Sequence, residues 1–246
     1  LMGYLERQQT LVQRLSTGEK WIIPNGGQAI AFALDNQHIA WDDDPDVTGP
    51  YDQRLTDIYV ADINGKNVRR VARVYGGGFV AWLPGQFALL ITGRPSLAVR
   101  ERALTVLDLT ANVTATLATS EHIAGINLST GGAWLAYYLT FEQDKSRNGI
   151  WVQRTDGKQP RKLDLWGAYQ WRDDARLLVI PTRPSPSSAF QVWEVEAATG
   201  KSRQLTQAAV TPLHILNGDW RVSPDGKYLV YVNSADRNLW LLELPR

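Results

Sequence analysis

Apolar and polar residues alternate along short stretches of this chain. Each stretch is followed by a turn and then by a second alternating stretch. Alternation with a period of two predicts β-strands with one buried face, and Gly, Asn and Asp between two stretches predict a hairpin. This strand–turn–strand pattern occurs six times, and the last copy is truncated. The first apolar residues of the copies are, in order, Leu11, Ile58, Leu104, Ile150, Val192 and Leu239.

The copies are evenly spaced, with steps from 42 residues (Ile150 to Val192) to 47 residues (Leu11 to Ile58). A second hairpin pattern lies between consecutive copies, as in GDWRVSPDGKYLVYV at 218–232. Two hairpins per period predict units of four antiparallel strands. A lone sheet of this kind cannot bury both faces, so the pattern predicts an all-β fold with the units arranged radially as the blades of a β-propeller.

The number of blades has two interpretations, because six copies of the first pattern accompany five copies of the second. The simplest interpretation is a five-bladed propeller formed by residues 1–246 as one domain. An N-terminal strand within 19–24 then closes the ring, and the segment 3–15 is left as an extra outer strand. The alternative is a six-bladed propeller.

Composition narrows the function classes. The chain has 246 residues, a net charge of +1 and no cysteine, which excludes disulfides, thiolate metal sites and cysteine nucleophiles. A charge so close to zero does not favour a nucleic-acid partner. The sequence contains no apolar stretch long enough to span a bilayer. We therefore expect a monomer without direct membrane insertion, and a native chain that begins upstream of this mid-pattern start.

Two kinds of connection alternate along the repeat. Those inside the hairpins are tight turns rich in Gly, Asn and Asp, whereas the others are long and irregular: 42–56, 93–102, 140–149 and 181–188. Long loops on a rigid scaffold carry most binding and catalytic residues. We therefore expect a functional site at the long-loop ends of the sheets, around the mouth of the central channel.

One long loop is acidic. Asp42, Asp44 and Asp46 alternate along it, and carboxylates so spaced can converge on calcium. The pattern departs from a helix-loop-helix calcium loop at Val47 and Gln53, where that loop requires Gly and Glu. Calcium is thus the only cofactor that the sequence suggests, and a solvated acidic loop is the alternative.

Aromatic and histidine residues also occur in the connections. Trp166 and Tyr169 lie between two repeats and are candidates for stacking on a sugar or a peptide, and His122 and His214 could approach each other across the channel mouth. His38 lies in a hairpin and is expected to be structural. The sequence has no Gly-x-Ser-x-Gly elbow, His-Glu-x-x-His motif or phosphate loop, so we predict no catalytic residue.

The segment SPDGKYLVYVNSADRNLWLLEL, at 223–244, resembles a repeat of the TolB-type (WD-repeat-like) propellers, and Asp57-Ile58-Tyr59 matches a triplet of that family. The resemblance covers nearly the whole chain. It implies a non-catalytic bacterial scaffold, located outside the cytoplasm, that binds a protein or peptide partner through its long loops. The alternative is a carbohydrate-binding or carbohydrate-active propeller, because similar propellers act as lyases or hydrolases.

Each connection between the second and third strands of a repeat contains an arginine. These residues are Arg54, Arg94, Arg147, Arg183 and Arg237. A ring of guanidinium groups could bind a carboxylate or a phosphate. The resembled family often carries a basic residue here, which implies a repeated structural role as the alternative.

Overall fold

The structure is a computed structural model that describes residues 1–6, 9–45, 48–182, 189–207, 209–210 and 212–245. The chain divides into two compact units, Leu1–Glu121 (unit 1) and His122–Arg246 (unit 2). Described residues form antiparallel sheets, and their helical segments are two short 3₁₀ turns, Tyr51–Gln53 and Lys145–Arg147. Among the described residues, no helix is long and apolar enough to cross a membrane.

The described residues of unit 1 form ten strands in two sheets. The strands are β1 (Met2–Glu6), β2 (Gln9–Gln13), β3 (Lys20–Ile23), β4 (Ala31–Phe32), β5 (His38–Asp43), β6 (Leu55–Asp62), β7 (Arg69–Trp82), β8 (Ala88–Arg94), β9 (Arg102–Asp108) and β10 (Val113–Ser120). Strands β1–β3 form one sheet, and β4–β10 form a second in chain order. The long strand β7 pairs with β6 through its first half (Leu55 opposite Tyr75) and with β8 through its second half (Gly78 opposite Thr92). The larger sheet is therefore two four-stranded groups that share β7.

In unit 2, the part of the chain that the structure describes forms eleven strands in three sheets. The strands are β11 (Ile123–Leu128), β12 (Trp134–Leu139), β13 (Gly149–Arg154), β14 (Arg161–Lys162), β15 (Gly167–Trp171), β16 (Arg176–Pro181), β17 (Trp193–Glu196), β18 (Ser202–Gln204), β19 (Ile215–Val222), β20 (Tyr228–Asn233) and β21 (Leu239–Glu243). The sheets are β11–β14, β15–β18 and β19–β21, each in chain order. The hairpins predicted from the sequence are thus confirmed.

The N-terminal segment differs from the prediction. The stretch predicted as one extra outer strand contains most of β1 and all of β2, and the strand predicted to close the ring overlaps β3. All three belong to one sheet, in which Val12 of β2 lies opposite Trp21 of β3. The described residues therefore form six groups of three or four strands. Pairing of the N-terminal strand with the last sheet stays a prediction.

Most lead residues of the repeat lie in the hydrophobic core. Ile58, Leu104, Ile150 and Val192 are fully buried, and in the first copy the fully buried residue is Val12, beside Leu11. Ile58 of one group packs in a cluster with Trp82 and Leu89 of the next. Leu239 of the last group is 74% exposed. Within each unit, the repeat thus buries its strands by stacking neighbouring groups, as the alternation requires.

Equivalent tryptophans connect consecutive groups. Nε1 of Trp82 donates to the carbonyl oxygen of Ala31 at 3.1 Å, and Nε1 of Trp171 donates to that of Asn127 at 3.0 Å. Each indole therefore buries its apolar surface while its one polar group bonds to the preceding group. The tight turns follow the sequence prediction too, with Asn36 at φ 56° and Gly65 at φ 76°.

Candidate functional site

The acidic long loop of unit 1 lies against the glycine run of β7. The carbonyl oxygen of Arg54 accepts a hydrogen bond from the amide of Gly76 at 2.9 Å. A Cβ atom on Gly76 would stand 2.3 Å from the carbonyl oxygen of Asp52, so only glycine permits this approach. The glycine run of β7 is therefore the surface on which the loop is seated.

Two of the predicted arginines hold this loop. Nε of Arg54 donates to the carbonyl oxygen of Gly49 at 2.9 Å, and Nη2 of Arg94 donates to that of Asp52. Both guanidinium groups thus bond to loop backbone. This geometry favours the structural alternative for these two residues, and anion binding by the arginines stays a prediction.

The predicted calcium ligands begin with Asp42, at the end of β5. Its Oδ1 accepts from the amide of Phe79 at 2.8 Å, and Oδ1 of Asp44 accepts from Oγ1 of Thr56 at 2.7 Å. Burial, with the nearby charge of Asp44, raises the pKa of Asp42 to about 6 against the opposing effect of the Phe79 bond. Asp46 lies outside the described residues.

A metal site is not formed by the part of the chain that the structure describes, in which no three acidic or histidine side chains are placed to hold an ion. Calcium stays a prediction from sequence. A calcium-dependent rise in melting temperature that is lost in the double variant Asp42→Ala and Asp44→Ala would support it, and no rise at millimolar calcium would end it.

In unit 2, Arg147 forms an ion pair with Glu142, with Nη1 and Oε2 3.0 Å apart. Arg237 adopts φ 59° in the turn before β21. His214 precedes β19, and its carbonyl oxygen accepts from the amide of Ser234 at 2.7 Å. Arg183 lies outside the described residues. The predicted roles of these residues in ligand binding remain predictions.

His122 contacts the ring of Phe141, and Trp166 and Tyr169 each contact the ring of Tyr138. The sequence prediction selected neither Phe141 nor Tyr138. We call these five residues the aromatic surface of unit 2. The ring of Tyr138 lies 4.7 Å from that of Tyr169 and 5.3 Å from that of Trp166 in an edge-on contact. The ring of His122 meets Phe141 edge-on at 5.5 Å. The aromatic surface thus consists of two groups of rings: one joins the residues next to the start of β11 and the end of β12, and the other joins β12 to the start of β15.

Two phenols fix the base of the aromatic surface. The Tyr138 hydroxyl donates to the carbonyl oxygen of Gly167, and the Tyr169 hydroxyl donates to that of Gly125, each at 2.6 Å. Burial raises the pKa of Tyr138 to about 12 and raises the pKa of Tyr169 as well. Both phenols stay protonated at neutral pH, so they serve to position the rings rather than to transfer protons.

Gly125 is required beneath these rings. It adopts φ +61°, and a Cβ atom there would stand 2.6 Å from Cδ2 of Tyr138. Contacts below 3 Å between carbon atoms are strongly repulsive, and the left-handed conformation disfavours residues with a Cβ. The glycine thus lets the Tyr138 ring lie flat against the backbone of β11.

Phe141 is the outermost residue of the aromatic surface. Its side chain is 84% exposed, and its backbone adopts φ 57°. A bulky residue in the left-handed region carries a strain of about 1–3 kcal/mol, and such strain clusters at binding sites. Trp166, at 47% exposed, is the second large apolar side chain that the aromatic surface presents to solvent.

The loop that carries Phe141 is held by its own hydrogen bonds. The amide of Glu142 donates to Oδ1 of Asn148 at 2.9 Å, and Oδ1 of Asp144 caps the following 3₁₀ turn by accepting from the amide of Ser146 at 2.9 Å. Nε1 of Trp151 donates to the carbonyl oxygen of Arg147 at 2.8 Å. A loop fixed in this way presents its aromatic residue without an ordering cost on binding.

Comparison with known proteins shows the fold. The chain matches no protein-family model and no curated protein sequence. Among solved structures it is similar to an oligogalacturonate lyase in complex with manganese, with 12% identity and a TM-score of 0.63 over 98% of this chain and 72% of that one. TolB from Acinetobacter baumannii aligns with 15% identity and a TM-score of 0.52 over 99% of this chain and 63% of TolB.

A third similar structure is the β-propeller domain of the Trilobed protease from Pyrococcus furiosus. It aligns with 13% identity and a TM-score of 0.59 over 100% of this chain and 84% of that domain. Identities at this level establish architecture and not activity. The chain therefore has a TolB-like β-propeller fold.

Proposed function

We propose that this protein is a non-catalytic propeller scaffold that binds a protein or peptide partner through the aromatic surface of unit 2. The observation that carries the proposal is Phe141, a large apolar side chain held in a strained backbone conformation and turned to solvent. Neither burial nor backbone preference explains a phenylalanine at this position. A partner that covers it would recover the free energy of its exposure.

The chemistry of the aromatic surface favours a polypeptide over a reaction. The phenols of Tyr138 and Tyr169 are protonated and committed to backbone carbonyl oxygens, so these two residues supply apolar area rather than acid–base groups. Exposed aromatic rings on a rigid loop are typical anchors for a partner side chain. As the resemblance to TolB-type propellers implies, we include an extracytoplasmic location and protein binding in the proposal, and we also propose a monomer.

A carbohydrate is the second candidate, since Trp166 could stack on a sugar ring and one similar structure is an oligogalacturonate lyase. Two assays distinguish a peptide ligand from a carbohydrate: selection from a displayed peptide library and binding to a glycan array. Each is run on the wild-type protein and on the double variant Phe141→Ala with Trp166→Ala. We expect peptides that bind the wild type and not the variant, and a blank array. A glycan that binds only the wild type, without enriched peptides, would replace our proposal with the carbohydrate one.

We also propose that the ring has six blades. Six groups of three or four strands support this number over five, and the exposed Leu239 on the last group marks a face that ring closure would cover. Hydrogen exchange tests closure directly. In a closed ring the β21 amides should exchange about as slowly as those of β13, whereas fast exchange throughout β21 would contradict closure.

A further inference from the structure

A second candidate binding site lies in unit 1, at the tight-turn ends of its sheets. Three neighbouring turns enclose a cleft of about 780 Å³: the turn between β2 and β3, that between β4 and β5, and that between β6 and β7. This volume lies within the range of small-molecule sites. Neither the sequence prediction nor the proposed function uses this end of the sheets.

The turns around the cleft are joined to one another. The amide of Ile63 donates to the carbonyl oxygen of Gln37 at 2.9 Å, which connects the second turn to the third. A Cβ atom on Gly65 would stand 3.1 Å from the carbonyl oxygen of Ile22, so the third turn packs closely on the first hairpin. The cleft is therefore a preformed feature of the fold.

The lining of the cleft is acidic, although the whole chain carries a net charge of +1. Glu19, Asp35 and Asp62 contribute three carboxylates, and Arg14 contributes one guanidinium group. The pKa of Asp35 is lowered, because hydrogen bonds from Gln37 and His38 outweigh the opposing effect of burial. Counting His38 as neutral, the cleft carries two net negative charges, one for each carboxylate beyond the single arginine.

The carboxylates of Asp35 and Asp62 differ in which of their oxygens already have a hydrogen-bond partner. Oδ2 of Asp35 lies 2.6 Å from Nδ1 of His38, so this carboxylate holds the imidazole. Oδ2 of Asp62 accepts from Nδ2 of Asn67 at 2.8 Å, whereas its Oδ1 lies 3.9 Å from Nε2 of His38, beyond hydrogen-bond distance. Oδ1 of Asp62 is thus placed to accept a hydrogen bond from a ligand.

An independent observation indicates what kind of ligand the cleft accepts. The guanidinium carbon of Arg14 lies 5.4 Å from the centre of the Trp21 ring, over its face. An indole face attracts cations, and planar guanidinium groups stack on it best. The protein's own arginine therefore occupies the position that the cation of a ligand would take.

We propose that this cleft binds an organic cation, a guanidinium or primary ammonium group, with the cation over Trp21 and hydrogen-bonded to Glu19 and Asp62. The cation would displace or flank Arg14. The same chemistry is offered by an arginine side chain of a peptide and by a small free amine. The site is separate from the aromatic surface, so its test does not depend on the proposed function.

Isothermal titration with three probes tests the proposal: Nα-acetylarginine amide, agmatine, and the neutral Nα-acetylcitrulline amide. We expect saturable binding of the two cations and not of the citrulline derivative. Asp62→Asn and Glu19→Gln should each weaken binding about tenfold or more, as expected for loss of a charge-assisted hydrogen bond. Arg14→Met should strengthen binding about threefold, because the competing guanidinium group is removed.

Glu101→Gln is the matched control, since Glu101 is exposed and the substitution removes the same charge outside the cleft. Tighter binding of the arginine derivative than of agmatine supports a peptide source, and the reverse supports a free amine. The proposal is overturned if neither cation binds, if the citrulline derivative binds equally well, or if Asp62→Asn has no larger effect than Glu101→Gln. Phe141→Ala should leave cation binding unchanged.

Discussion

Nη1 of Arg172 and Oε2 of Glu194 lie 2.5 Å apart, and the two side chains are only 5% and 6% exposed. Nε of Arg172 also donates to the carbonyl oxygen of Gly226 at 2.9 Å, and its Nη2 donates to that of Pro245 at 2.8 Å. One guanidinium group therefore connects the β15–β18 sheet to the hairpin turn and the end of the β19–β21 sheet. Every charge in this arrangement is compensated, as a buried ion pair requires.

Replacing Arg172 with methionine should lower the free energy of unfolding by about 1–3 kcal/mol, because the carbonyl oxygens of Gly226 and Pro245 lose a donor. Glu194 loses a buried partner but keeps Nε of Arg203 at 2.7 Å and Nη1 of Arg176 at 3.6 Å. Urea unfolding measures the loss. Arg154→Met is the control: Arg154 is 40% exposed and pairs with Asp156, so its removal should cost less than about 1 kcal/mol. Equal stability of the two variants would show that the Arg172 bonds contribute little.

Gly125→Ala should both destabilise unit 2 and disturb the aromatic surface. The left-handed backbone costs about 1 kcal/mol for any residue with a Cβ, and the clash with Tyr138 adds about 1–3 kcal/mol. Gly218→Ala separates the two effects, since Gly218 has φ +74° and no heavy atom within 4 Å of the position of a Cβ. Thermal unfolding of both variants checks the difference, and equal losses would mean that the ring contact with Gly125 is not tight.

The stability of unit 1 should depend on Asp42. Its folded pKa of about 6 lies above its unfolded value of 3.8, so the folded state binds the proton more tightly, and stability falls as pH rises from about 4 to 6. Asp42→Asn keeps an acceptor for Phe79 and removes the charge. Above pH 7 it should raise the free energy of unfolding by about 1 kcal/mol after allowance for solvent screening, and below pH 4 it should change it little.

Unfolding curves at pH 4 and pH 8 test this dependence, with the exposed Asp219→Asn as a control for general charge effects. If Asp42→Asn is neutral or destabilising at pH 8, the ionised Asp42 carboxylate is stabilised by a partner in the folded state, and burial does not destabilise it.

The strands were predictable from sequence because their burial pattern is local. Ile58, Leu104 and Ile150 each begin an alternating stretch, and all three are fully buried. Ile58 and Ile150 each pack in one cluster with residues of the next strand group. Leu239 has the same sequence signal but is exposed, because burial depends on a neighbouring group that the local pattern does not report. The first sheet was underestimated because β1 precedes the first copy of the pattern, so the repeat does not indicate a separate strand there.

The aromatic surface was predictable only in part. Trp166 and Tyr169 were found because aromatic residues in connections are unusual, whereas Phe141 follows a strand and reads as its continuation. Its left-handed backbone, which makes it notable, has no sequence signature in a phenylalanine. Arg172 and Glu194 were missed because charged residues at strand ends are usually solvated. The cleft around Trp21 depends on three turns meeting in space, which the repeat alone does not specify.

Phe141 supplies the most direct test of the proposed function, because our account predicts that its phenylalanine side chain lowers the stability of the fold and raises the affinity for the partner. Asparagine tolerates the left-handed backbone that phenylalanine adopts at a cost. The variant Phe141→Asn should therefore melt at a higher temperature than the wild type, by an amount equivalent to about 1 kcal/mol. It should also bind a peptide selected on the wild-type protein about tenfold or more weakly, as expected for loss of an anchor residue.

The decisive measurement is the dissociation constant of such a peptide for Phe141→Asn, for Trp166→Ala and for the control Leu97→Ala, which removes an exposed leucine from a long loop of unit 1. Our account predicts that both variants in the aromatic surface lose affinity and that the control retains it. Wild-type affinity in Phe141→Asn together with Trp166→Ala would contradict the claim that this surface binds the partner.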